Sequence, residues 1–270
     1  MNNPRQARRA RFGRHAFSRT FFAADYVECR HLLQHVPPSN ERTLLEAKIA
    51  WREQRYLDMI EPLSAMKPTN SEISVERDIL VGAAYMGTKD FSTACMRLDR
   101  ALEKAPPDGR LRADALFYRA LLAWMEHKDR DSEAAASELL KSTQPNDRAG
   151  AHLLLSWIAR RGRDVDRQVA ELTLALDTLA ETSEPDEYFR GKAISSLALL
   201  CRELPLHGLV QRVRDEASAV QWASGTRLQQ FETMRSLGWI DALGGNEIAA
   251  FAAFREAASL APSGHWRILA

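Results

Sequence analysis

A chain of 270 residues that is 45% hydrophobic and 27% charged has the composition of a folded protein, and its length fits two globular domains or one elongated repeat array. Its 37 basic and 36 acidic residues leave a formal net charge of +1, which gives no global attraction to nucleic acid. No apolar run approaches the roughly 18 residues that span a bilayer, and the N-terminus lacks the apolar core of a secretory signal, so a cytoplasmic protein with no membrane partner is expected.

The chain opens on Arg5, Arg8, Arg9, Arg11, Arg14 and Arg19, all before the first acid, Asp25. Such a start is a transit peptide, a phosphate- or lipid-touching arm, or a solvated tail. Residues 1–9 are assigned to a basic tail and 10–270 to the folded array. From there helical hairpins recur. The first pairs a Phe17–Phe22 segment with a helix Val27–Val36 across Asp25-Tyr26, and Pro37-Pro38 closes it. The second carries Ala47 and Ala50 on its first helix, Tyr56 at the turn, and Met59, Leu63 and Met66 on its second, where Pro62 predicts a kink or a late start.

The third hairpin sets Val81, Gly82, Tyr85, Ala94, Leu98, Ala101 and Pro106 at positions 7, 8, 11, 20, 24, 27 and 32 counted from Val75. The fourth, Ala113 to Leu140, keeps Ala120, Ala123 and Leu139, with an insertion expected at His127–Ser132. The fifth places Leu155, Ser156, Ala159, Val165, Leu172 and Ala175 in register. The sixth has Leu197, Leu200, Leu209 and Val213, with Pro205 placed to open its second helix. In the seventh, helices are predicted near Leu228–Leu243 and Ile248–Leu260 around Gly244-Gly245, and Met234, Leu237, Gly238, Ala250, Phe254, Ala257 and Pro262 fall on the same spacing counted from Phe231. Gly238 and Ala250 are read as the small residues that let two helices cross closely.

These two best arrays, 75–108 and 231–264, resemble the tetratricopeptide (TPR) repeat family. The resemblance implies an all-α, right-handed α-solenoid of about six to seven TPR-like hairpins, one continuous domain held together between neighbouring hairpins. After Pro262, the residues His265-Trp266-Arg267-Ile268-Leu269-Ala270 read as the start of a further helix with no polar cap after it. That uncapped end is expected to meet a partner, a second copy, or more of a longer chain.

Candidate chemistry is sparse. Gly82 to Lys89 departs from a phosphate loop, because the order is Thr88-Lys89 and the context is a helix. His31 and His35 share a helix face without a third ligand. Cys29, Cys95 and Cys201 read as packed thiols in a reducing compartment. No catalytic residue, metal site or cofactor is assigned.

In TPR proteins positions 2, 5, 9, 12 and 13 of the first helix line the concave groove. Carried over, positions 9, 12 and 13 give a partner groove of Lys48, Trp51, Arg52, Trp124, Trp157, Arg160, Arg161, Arg202 and Trp239. Tryptophan and arginine dominate binding hot spots, although tryptophans at this spacing also pack between hairpins. The expected function is therefore a non-catalytic protein- or peptide-binding module with an aromatic, basic groove. The alternative is the sensor or oligomerisation arm of a bacterial LuxR-type helix-turn-helix regulator, which the last 40 or so residues resemble. Nucleic acid is not an expected partner of this chain alone.

Overall fold

The computed structural model describes residues 17–107, 109–204, 206–219 and 227–260. Among these the chain is helical throughout, with no strand. Helices follow one another as hairpins: α1 (17–22) with α2 (Tyr26–Gln34), α3 (Asn40–Arg52) with α4 (Leu57–Ala65), and α5 (Ser71–Gly87) with α6 (Phe91–Lys104). Next come α7 (Arg110–Met125) with α8 (Asp129–Leu139), and α9 (Pro145–Arg161) with α10 (Val165–Ala180). The last are α11 (Glu187–Glu203) with α12 (His207–Ala219), and α13 (Arg227–Leu243) with α14 (Glu247–Leu260).

From α3 onward each first helix packs on its own second helix and on the first helix of the next hairpin, the connectivity of an all-α solenoid. The Arg-rich residues 1–14, Pro205 and the C-terminal helix expected at 265–270 lie outside the described residues.

A backbone device recurs in the turns. Counted from Asn40, Val75, Ala113, Ala149 and Phe231, the fifteenth residues are Gln54, Lys89, His127, Arg163 and Gly245, and all five have positive φ between 59° and 76°. Ala24 does the same in the first hairpin. In each of these turns the N–H one residue further on reaches back to a carbonyl five residues earlier, as from Asp90 to Tyr85 at 2.9 Å and from Lys128 to Ala123 at 2.8 Å. This is the left-handed helix stop that satisfies the last orphan carbonyls. The residue that donates this bond then starts the next helix: Asp25, Asp90 and Asp164 accept from the N–H three residues on, at 3.0–3.1 Å. A helix thus stops and its partner starts within about two residues.

The small residues at position 8 set how closely the paired helices approach. A Cβ on Gly82 would stand 2.8 Å from Leu98 Cγ, and one on Gly238 would stand 2.6 Å from the Phe254 ring. Both glycines are therefore fixed by the helix crossing, as the spacing predicts. The fourth hairpin differs from expectation. It has no insertion, because His127 takes the standard left-handed position and Asp129 already begins α8. The charged run that looks like a loop is a helix N-terminus, where Asp129 and Asp131 complement the macrodipole. Ser132 then fills the small position, fully buried, and donates to Ala120 O at 2.9 Å. Pro62 is the sixth of the nine residues of α4 and lies on its exposed side, and the carbonyl it deprives is that of Asp58 in the first turn, which faces solvent. Cys29 and Cys201 are buried and Cys95 half-buried, all three as free thiols; burial pushes the Cys29 thiol up to about 11.

Gly82→Ala should lower stability by about 1–3 kcal/mol through overpacking against Leu98. Lys89→Gly, which relieves a left-handed lysine, should raise it by up to about 1 kcal/mol. Urea denaturation of both variants measures the two signs side by side.

Candidate functional site

A channel of about 1010 Å³ runs along the side of the stack formed by the first helices. Its walls follow the repeat. Position 2 supplies Glu41, Glu76 and Asp114, and position 5 supplies Leu44, Ile79 and Phe117, from α3, α5 and α7 in turn. One turn of helix separates such positions, so each first helix contributes one acid and one apolar side chain to the same wall. Phe17, Phe21 and Phe22 of α1, and Asp186 and Phe189 at the start of α11, also line it.

The floor is held by one buried ion pair. Arg52, at the end of α3, donates from Nη2 to Asp186 Oδ2 at 2.5 Å across 134 residues of sequence, and both side chains are buried. Asp186 also caps α11 by accepting from Tyr188 N at 3.0 Å, while its own N–H donates to Asn146 Oδ1 at 2.9 Å. Arg52 Nη1 has no hydrogen-bond acceptor among the described residues. The guanidinium instead lies 4.2 Å from the Tyr188 ring centroid, 5.1 Å from Phe189, 5.2 Å from Phe21 and 5.5 Å from Trp51. Aromatic faces carry the negative end of the ring quadrupole and stabilise a desolvated cation. Burial opposes the guanidinium's charge, but Asp186 and the surrounding tyrosines outweigh it, so Arg52 stays protonated. Burial pushes the Asp186 carboxyl up, against the pull of Arg52 and of two backbone N–H groups.

The channel wall is acid-rich. Among the described residues it carries eight carboxylates, Glu41, Glu72, Glu76, Asp114, Glu138, Asp147, Glu184 and Asp186, against five cations, Lys48, Arg52, Arg110, Arg112 and Lys141. Three of those cations are matched within the wall: Lys48 with Glu76, Arg52 with Asp186, and Arg112 with Glu138. Asp114 and Asp147 have no cation within ion-pairing distance among the described residues. Burial, and then the nearby charge of Asp114, push the Asp147 carboxyl up, although Ser142 donates a hydrogen bond to it at 2.7 Å.

The nine residues expected to share one groove do not share one. Lys48, Trp51 and Arg52 line the channel, but Arg52 is locked in its ion pair and Lys48 is matched by Glu76. Trp51 is buried edge-on against Tyr118 at 5.1 Å. Trp124 and Trp157 pack on each other between the fourth and fifth hairpins, with centroids 5.4 Å apart. Arg161 is drawn onto Trp124, 4.8 Å from its ring and donating to its carbonyl at 2.8 Å, while Asp129 takes its charge. Arg202 lies over Trp239, which packs against Phe254, and Arg160 is exposed elsewhere on α9. Six of the nine therefore lie outside the channel: Arg160 is exposed, and the other five are held by contacts between neighbouring helices. Among the described residues no group of three His, Cys, Asp or Glu is placed to hold a metal, and His31 and His35 are exposed.

Removing one partner of a buried ion pair leaves the other charge uncompensated. Arg52→Ala should therefore cost about 3–5 kcal/mol. Arg52→Met with Asp186→Asn, which keeps the helix cap and removes both charges, should recover most of that loss in urea denaturation. Comparison of the chain with protein-family models, curated proteins and solved structures finds no match.

Proposed function

We propose that this chain is a non-catalytic protein-binding solenoid that holds an extended segment of a partner protein in the channel along its first helices. The observation that carries the reading is the channel itself. It has a volume of about 1010 Å³, is walled by repeating pairs of an acid and an apolar residue, and is braced by a buried ion pair. An extended segment meets such a wall at regular intervals, which suits a repeat better than it suits a small substrate.

The wall's charge sets the kind of segment. With three more carboxylates than cations among the described residues, and with Phe17, Phe21, Phe117 and Phe189 among them, the channel favours lysine or arginine side chains flanked by apolar ones. This reverses the charge expected of the groove, which was basic.

The raised carboxyl of Asp147 fits a binding role. A group whose folded-state pKa lies above its unfolded value stabilises the fold only at pH below the unfolded value, and that contribution is lost as pH rises through the folded one. At neutral pH the charged Asp147 therefore works against stability. Asp114→Asn with Asp147→Asn should keep or raise the melting temperature at pH 7 while weakening a basic ligand by about tenfold or more. The probe is a fluorescein-labelled peptide alternating arginine and leucine, read by anisotropy against its glutamate–leucine counterpart. Tighter binding of the glutamate peptide would overturn the charge assignment, and failure of both peptides to bind would count against the channel as a docking site.

A further inference from the structure

We propose that the α5–α6 hairpin carries an oxyanion site for a phosphoryl dianion on the face turned away from the channel. Its centre is Asp78, which is fully buried and is approached by four cations at once. Arg77 Nη2 lies 3.3 Å and Arg97 Nη1 3.4 Å from Oδ1, while Arg100 Nε lies 3.3 Å and Lys104 Nζ 3.4 Å from Oδ2. Each carboxylate oxygen is thus shared between two cations at distances longer than a strong charge-assisted hydrogen bond. One negative charge faces four positive ones, an excess of three within a single cluster.

Compensating one buried carboxylate takes one or two cations, and every further cation adds like-charge repulsion. The arrangement of these four has a second reason to exist if another anion completes it. Arg97, Arg100 and Lys104 follow each other at three- and four-residue steps, so they form one stripe about 60° wide along α6. Their side chains are 31%, 50% and 37% exposed, so donors remain available on the solvent side while Asp78 holds the cluster from beneath. Arg97 Nε has no acceptor among the described residues, and Arg77 Nη1 reaches only Met66 O at 3.3 Å.

Three arginine forks and an ammonium with three surplus charges match a multiply charged tetrahedral oxyanion. A phosphate monoester, with nearly two charges and three acceptor oxygens, answers that excess better than a single carboxylate. None of the five residues lines the channel. On α5 the step of about 100° per residue puts Asp78 roughly 200° around the helix from Glu76, a channel-wall acid. The two sites therefore occupy opposite faces of one hairpin, and the oxyanion site does not depend on the channel having a ligand.

The test is thermal unfolding of the full chain in inorganic phosphate against chloride at matched ionic strength, with Arg100→Gln/Lys104→Gln as the principal variant. Those two side chains are the most exposed of the four, and Arg77 and Arg97 remain to hold Asp78. Phosphate should raise the midpoint of the wild-type chain, and the variant should show a dissociation constant at least about tenfold weaker. Asp78→Asn, which removes the competing anion, should bind phosphate more tightly than wild type. A phosphoserine peptide compared with its serine counterpart separates the sources: a gain confined to free phosphate marks a small-ion site, and a gain with the phosphopeptide marks a protein-borne phosphoryl group. An equal response to phosphate in wild type and variant, or no response beyond that to chloride, would overturn the proposal and leave the four cations as support for Asp78 alone.

Discussion

The channel exists in its observed form because Arg52 meets Asp186. The contact joins the end of the second hairpin's first helix to the start of the sixth's, so the intervening helices are held in one curved stack rather than in a chain of independent pairs. In a solenoid stabilised only by nearest neighbours, curvature is the sum of small angles and is easily varied. A buried pair that bridges three intervening hairpins removes that freedom. Its cost is the desolvation of two charges, offset by the helix cap that Asp186 makes and by four aromatic faces around the guanidinium. Three of these aromatic residues, Phe21, Trp51 and Phe189, also line the channel, so the brace and the channel wall share side chains.

Much of the fold was legible in the sequence, because the repeat is written in sterically fixed positions. Gly82 and Gly238 admit no Cβ, so their spacing to Leu98 and Phe254 carries the helix crossing directly. The left-handed turn residues were harder to see. Only Gly245 is a glycine, while Gln54, Lys89, His127 and Arg163 hold the same conformation with ordinary side chains. The signal present was the polar residue that follows, Asp90, Asp164 and Asn246, each starting a helix at the same place in the repeat. In the fourth hairpin that signal is absent, because Lys128 follows His127 and makes no side-chain cap, so His127–Ser132 looks like an insertion.

The site was less legible, for two physical reasons. The channel is lined at positions 2 and 5, where Glu41, Glu76 and Asp114 alternate with Leu44, Ile79 and Phe117, whereas the tryptophans and arginines at positions 9, 12 and 13 drew the assignment from sequence. Arginine beside tryptophan reads as a binding surface in one dimension. In three dimensions the same adjacency satisfies itself, as Arg161 does on Trp124 and Arg202 on Trp239. The second reason is distance along the chain. Nothing near Arg52 announces Asp186, and a buried arginine is distinguishable from an exposed one only when its partner is known.

A formal net charge of +1 conceals a strong separation of charge. The third hairpin shows how it arises from helical periodicity. Glu76 turns toward an acid-rich channel, while Asp78, two residues on, turns away into a cluster of four cations. Two carboxylates separated by one residue therefore stand in opposite fields, one contributing to a negative wall and the other neutralising part of a positive patch. Segregation of this kind has a consequence for any repeat protein read by composition. Charges of either sign, placed at a constant angle around successive helices, sum along the stack on each face while cancelling in the total. The field a partner meets is set by the phase of the acidic and basic residues within the repeat, not by their number.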